Sequence, residues 1–239
     1  ATLPAITWRF RVGQPRLLYV ARDAAGHFQL YAANDPPRQL SQGKGEVWDY
    51  APHPEGASII YSVARDDEGA DLWIVDRDGN DPRVLLRCPN ASCTAPSWSS
   101  DGAWIAYERQ DLSERTIGVS IGPVVPQIWL LDPASGQTQP LFEDAPTPGR
   151  APAWSPLGQR LAFYDLSELA IQIVDLDTGE QQLFDSLAGV GSWDPEGERM
   201  VLPEVSFHNQ LPSGELLVVA FATRSVRSLS APGTLEETV

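Results

Sequence analysis

Basic charge is scarce in this chain. Against 32 Asp and Glu stand 17 Lys and Arg, a net charge of −15 over 239 residues, and Lys44 is the lone lysine. Such a balance offers no broad electrostatic footprint for nucleic acid or for an anionic membrane. Long apolar runs are also missing, so no helix is expected to span a bilayer. Two cysteines and three histidines are too few and too scattered to suggest a metal centre. Helical periodicity is absent over any three turns, and 21 prolines work against helix interiors, where proline removes an N–H and clashes with the preceding turn. What remains is 42% apolar, with 8 tryptophans and 19 glycines. That is enough to bury a core as one all-β domain or as two small domains.

The chain opens at Ala1 with no basic-then-apolar leader, as expected after signal-peptide removal or trimming. Cys88 and Cys93 lie in the turn-rich stretch 87–94, where a small loop-closing disulfide is expected in preference to two free thiols. A disulfide would place the protein outside the cytoplasm: periplasmic, secreted or at the cell surface. Asn90-Ala91-Ser92 matches a glycosylation sequon, a triplet common by chance.

Self-comparison organises the chain. Three segments align around a tryptophan and a turn glycine: Trp98 with Gly102, Trp154 with Gly158, and Trp193 with Gly197. A fourth, around Gly56, has Pro52 in the tryptophan position, and a looser fifth runs from Trp8 through Gly13. Each is followed by a β-rich run, an Asp-to-Gly turn such as Asp76–Gly79, Asp132–Gly136 or Asp175–Gly179, and a short last strand. Strand, tight turn, strand, loop, strand, hairpin, strand makes four antiparallel strands per unit, repeated about every 40–56 residues. The expected architecture is therefore an all-β propeller forming a single domain over 1–239. Its blades fall near 6–41, 46–87, 94–142, 150–184 and 189–230, with a tail at 231–239. Five blades fit the length; a fragment of a six-bladed ring is the alternative.

The Trp-Ser-Pro-Asp-Gly-like turn followed by an Ile-Ala-Phe/Tyr strand resembles the WD-like repeat of TolB-type propellers over nearly the whole chain. The resemblance implies partner capture at the propeller's mouth. It carries over no partner-specific residue, and the α/β domain that precedes the TolB propeller has no counterpart in these residues.

Propeller geometry puts the loops between second and third strands, and those between blades, on one face. That face would receive 109–126, 143–149, 204–215 and the Cys88–Cys93 loop, and elaborated loops on a rigid scaffold are where binding usually sits. Charges recur where second strands end: Arg22 and Asp23, Arg65, Asp66 and Asp67, Arg109, Asp111 and Arg115, Asp165, then Glu204 and His208. They are expected to form a binding rim, although alternating Arg and Asp at loop starts can equally be solvated ion pairs of little worth. Catalytic signals are weak. Gly118-Val-Ser120-Ile-Gly122 matches a nucleophile elbow, but Pro123 and Pro126 exclude the helix that elbow needs. Asp76–Asp81 looks like part of a calcium loop but lacks its terminal glutamate and sits where a hairpin turn belongs. His27, His53 and His208 share no ligand spacing and suit surface or packing positions. Trp98, Trp154 and Trp193 are expected in the core. A non-enzymatic extracytoplasmic module that binds a protein or peptide partner is the leading expectation, with no catalytic residue, metal or cofactor assigned. The alternative is a carbohydrate-binding or glycoside-hydrolysing propeller drawing on Asp49, Asp66, Asp111, Asp165 and Glu204.

Overall fold

The segments Ser-Ile-Ile-Tyr-Ser-Val-Ala (Ser58–Ala64) and Ala-Asp-Leu-Trp-Ile-Val-Asp (Ala70–Asp76) concentrate β-branched and aromatic side chains, which suit a pleated surface packed on both sides. They pair antiparallel from Ser58↔Asp76 to Ala64↔Ala70. The computed structural model describes residues 17–112, 125–142, 147–186, 189–208 and 211–229, without the side chains of 206–208 and 211–213. Among the described residues there are nineteen strands and no helix.

The strands form successive antiparallel meanders. The first holds β1 (Leu18–Arg22), β2 (Phe28–Ala32) and β3 (Arg38–Gln39). The second holds β4 (Val47–Pro52), β5 (Ser58–Ala64), β6 (Ala70–Asp76) and β7 (Arg83–Leu86). The third holds β8 (Ala91–Trp98), β9 (Ile105–Asp111), β10 (Gln127–Leu131) and β11 (Thr138–Pro140). β12 (Gly149–Trp154), β13 (Arg160–Asp165), β14 (Ala170–Asp175) and β15 (Gln181–Asp185) make the fourth. β16 (Ser192–Trp193), β17 (Arg199–His208), β18 (Leu211–Ala220) and β19 (Ser225–Ser228) make the fifth.

The repeated turn has a clear cause. The residue after each tryptophan accepts backbone N–H groups: Ser99 Oγ from Trp104, Ser155 Oγ from Arg160, and Asp194 Oδ1 from Glu198 and Arg199. Gly102 then supplies the positive φ, 71°, that closes the turn without a Cβ penalty. In the second meander His53 takes the serine's place and its Nδ1 accepts the Glu55 N–H, while its ring packs edge-on against Trp98. Asp76, Asp132 and Asp175 cap their hairpins by accepting nearby N–H groups, which is turn chemistry rather than a calcium loop.

Apolar side chains on both faces of the strands fill the seams between meanders. Adjacent residues face opposite ways. Ile59 packs with Leu30 and Tyr61 in the first seam, and Ile60 with Trp98 and Tyr107 in the second. Ala106 packs with Trp154 and Phe163 in the third, and Ala162 with Met200 and Phe221 in the fourth.

Three sequence expectations need correction. The second and third meanders are not separate antiparallel units: a parallel bridge, Ala70↔Ser92, joins them into one mixed eight-stranded sheet. The cause is local. Asp71 accepts the Cys88 N–H and Arg65 donates to the Ala91 carbonyl, which draws the start of β8 onto β6. For the same reason Cys93 belongs to a strand rather than to a loop. The stretch 204–215 is mostly not a loop either: β17 and β18 pair continuously out to His208↔Leu211. Pro203 reads as a breaker, but its backbone faces away from β18, where a missing N–H costs no ladder bond. Of the expected first blade, residues 6–16 lie outside the described residues.

Candidate functional site

Most of the expected rim residues close turns or pair locally. Arg22 donates to the Gly26 carbonyl at 2.6 Å and lies 4.3 Å over the Phe28 ring, while Asp23 Oδ1 accepts the Ala25 and His27 N–H groups. Arg65 reaches Asp67 at 2.9 Å and pairs with buried Asp71. Asp67 also accepts the Gly69 N–H, and the Arg65 guanidinium above all holds its carboxyl below the usual range. Asp66 is exposed. Arg109 pairs with Asp111 at 3.0 Å and lies over Trp129. Asp165 is buried, with Oδ1 accepting the Ser167 and Glu168 N–H groups. Glu204 stands mid-strand opposite Glu215 and accepts the Val205 N–H. Arg115 and the His208 side chain lie outside the described residues. Exposed local pairs of this kind contribute little to stability or recognition.

A different constellation forms where β4, β8 and β12, the first strands of three meanders, lie side by side. Each carries a bulge: between Val47 and Tyr50, between Thr94 and Ser97, and between Arg150 and Ala153. A bulge inserts an extra residue and turns backbone groups out of the ladder. In β8 and β12 that residue is an alanine in the left-handed region, Ala95 at φ 49° and Ala151 at φ 52°. Non-glycine residues rarely occupy this region, and strain of this kind clusters at functional sites. Each alanine N–H is taken by a carboxylate from the preceding meander. Asp49 Oδ2 accepts Ala95 N–H at 2.9 Å, and Glu108 Oε1 accepts Ala151 N–H at 2.8 Å.

Burial is the main force pushing the Asp49 carboxyl upward, offset in part by the Ser62 hydroxyl and the Ala95 N–H. Its Oδ1 is buried beside that hydroxyl without a hydrogen bond of good geometry. Burial also leads the upward push on Glu108; the Ala151 N–H and the Arg150 charge oppose it, and the Asp49 charge adds to it. Trp48 beside Asp49 is 49% exposed, an unusual position for a tryptophan, and Arg150 is exposed as well.

Asp49 was legible as an acid at the start of a unit. Glu108 was not, because inside Ile105–Asp111 it reads as an ordinary alternating strand residue. The Ala-Pro pairs at 95–96 and 151–152 were the available signal, a repeated punctuation in two first strands.

Elsewhere, a cleft of about 160 Å³ opens between the fourth and fifth meanders. Arg160, in its lining, donates to the Gly197 carbonyl of the fifth meander, and Arg224 reaches back to Glu180 at 2.7 Å. Its charges are matched across the seam, so it reads as a staple. Among the described residues no group of three or more His, Cys, Asp or Glu could hold a metal ion.

No protein-family model matches the chain, and no curated protein matches it. Solved structures do. A TolB-designated protein from Agrobacterium tumefaciens is similar at 20% identity and TM-score 0.60, over 91% of this chain and 82% of that one. An oligogalacturonate lyase in complex with manganese is similar at 16% identity and TM-score 0.66, over 90% of this chain and 62% of that one. A chain of a nidogen/laminin complex is similar at 10% identity and TM-score 0.56, over 89% and 91%. At these identities the likeness speaks for architecture. The chain has the fold of the TolB-type β-propellers.

Proposed function

We propose that the protein is a five-bladed propeller with WD-like turns that works outside the cytoplasm as a protein-interaction or assembly module. Its blades lie near 6–41, 46–87, 94–142, 150–184 and 189–230. A protein or peptide partner engages the mouth formed at the bulges of the first strands, through Trp48, Asp49, Glu108 and Arg150. One observation carries this reading. Two part-buried carboxylates, Asp49 and Glu108, reach across the seams between first strands, and a half-exposed tryptophan precedes Asp49 in β4. A packing position would not retain such groups, whereas contact hot spots favour tryptophan and arginine and functional sites gather perturbed acids. The disulfide supports an oxidising compartment.

The fold alone does not choose between binding and catalysis, since the similar structures include a lyase and a protein complex. Two of the five acids of the carbohydrate alternative are engaged elsewhere, since Asp165 closes a turn and Glu204 stands mid-strand, while Asp49 belongs to the mouth itself.

Affinity capture from the extracytoplasmic fraction of the source cells tests the reading. Trp48→Ala and Glu108→Gln should each lower recovery of a specific partner by about tenfold or more. Asp66→Asn, outside the mouth, should leave recovery unchanged. Equal recovery by wild type and Trp48→Ala would remove the mouth from the account.

A further inference from the structure

The cleft between the fourth and fifth meanders is lined by Arg160, Asp175, Glu180, Gln182, Phe221 and Arg224. One wall is the hairpin joining β18 to β19, and it departs from the repeat at two positions. In the second, third and fourth meanders the residue whose N–H closes this hairpin is a glycine of positive φ: Gly79, Gly136 or Gly179. It donates to the backbone of Asp76, Asp132 or Asp175, whose side chain caps the turn. In the fifth meander Arg224 takes the glycine's place at φ 49° and donates to the Phe221 carbonyl. A Cβ is disfavoured in this region, and a phenyl ring cannot accept the N–H groups that the aspartates accept. The turn has given up a relaxed backbone and a capping carboxylate, and both replacements line the cleft. Backbone strain of this kind clusters where ligands are held.

The polar groups of the lining are incompletely used. Gln182 Nε2 donates to Glu180 Oε1 at 3.2 Å, whereas Gln182 Oε1 is buried and accepts no hydrogen bond among the described residues. The Arg160 guanidinium donates to Gly197 at 2.9 Å, but Asp175 and Glu198 stand 3.6 and 3.5 Å away, too far for good hydrogen bonds. Arg224 and Glu180, both more than half exposed, form a solvated pair that a ligand can enter. Two guanidiniums thus face the same space as the Gln182, Glu180 and Asp175 oxygens. A lone anion would meet the carboxylates, and a lone cation would meet the guanidiniums. A molecule with an ammonium and a carboxylate one carbon apart satisfies both sets. The volume of about 160 Å³ limits the occupant to a small molecule.

We propose that this cleft binds a free α-amino acid, with its carboxylate on Arg160 and Arg224 and its ammonium on Gln182 Oε1 and Glu180. The site is independent of the binding mouth: Arg160 begins β13 and Asp175 ends β14, whereas Arg150 pairs with Tyr164 near the other end of β13.

Calorimetric titration of the full chain with L-alanine tests the assignment, with acetate and ethylammonium as the separated poles. L-Alanine should bind saturably, and each pole alone at least about tenfold more weakly. Two variants distinguish a ligand site from a staple. Arg224→Gly restores the residue type of the other hairpins. It should melt at or above the wild-type temperature, because the backbone relaxes and the exposed pair it removes contributes little. Its affinity for L-alanine should nonetheless fall about tenfold or more. Gln182→Met removes the unpartnered acceptor and should weaken binding likewise. No saturable binding of L-alanine, or acetate or ethylammonium bound as tightly, overturns the proposal. Wild-type affinity in Arg224→Gly does the same and leaves the cleft a staple. Should that variant fail to fold, Gln182→Met decides in its place. Trp48-dependent capture involves neither variant, so the two readings fail separately.

Discussion

Arg65 and Asp66 are neighbours in a run of charges that the sequence offers as one rim, yet their surroundings differ. Asp66 is exposed, and substitutions at such positions stay within about 0.5 kcal/mol. Arg65 instead compensates Asp71, whose side chain is 7% exposed, which accepts the Cys88 N–H and whose second oxygen lies 3.8 Å from the exposed Arg87 guanidinium. Removing one member of a buried pair leaves the other charge stranded, a loss of about 3–5 kcal/mol. Because the guanidinium itself is 23% exposed and Arg87 still lies 3.8 Å from Asp71, the lower end applies. Urea unfolding of Arg65→Met should therefore show a loss of about 3 kcal/mol, while Asp66→Asn should match wild type within about 0.5 kcal/mol. An unchanged midpoint for Arg65→Met would assign the pair to the solvated class. Sequence could not make this distinction: it shows which charges recur, whereas burial and the partner of each oxygen decide what they do.

At the scale of elements, the turns were the most legible part. A tryptophan, a small hydroxyl or Asp and a glycine at fixed spacing encode a hairpin through local hydrogen bonds, which need no distant contact. The long ribbon of β17 and β18 was illegible for the complementary reason. Pro203, Pro212 and Gly214 look like loop residues, yet whether a proline breaks a strand depends on which way its backbone points. Pro203 pairs with Leu216, whose carbonyl bonds Leu229 on the far side, so Pro203 faces the free edge. Val205, two residues on, has its N–H taken by the Glu204 carboxylate at 3.0 Å. Together these blunt an edge that runs past the end of β16, a known route to unwanted strand pairing. Pro203→Val restores a donor at this edge. It should increase self-association in size-exclusion chromatography at raised concentration without lowering the melting temperature. A monomeric profile identical to wild type would show that the edge needs no such protection.

Across the whole molecule, the seams were readable as apolar strands with no polar face, while their cross-links were not. Asp49 lies 46 residues from Ala95 and Glu108 lies 43 from Ala151, and no local pattern announces a contact at such separation. The cysteines sit between these extremes. Their spacing permitted a disulfide, and the structure shows Cys88 bonded to Cys93, both fully buried. The bridge spans a sequence separation of 5, and a loop that small restrains the unfolded chain by about 2 kcal/mol in the chain-entropy account. Its placement adds a second role, because it sits where β8 is drawn onto β6 and the second and third meanders become one sheet. Replacing both cysteines by serine should lower the melting temperature by about 4–8 °C. The native protein should yield no reactive thiol before denaturation and reduction, and two afterwards. Because both sulfurs are shielded, reductant added to the folded protein should act only as fast as the seam opens. Thiols that titrate in the native state without reductant would remove the bridge, and with it the strongest physical support for an extracytoplasmic location.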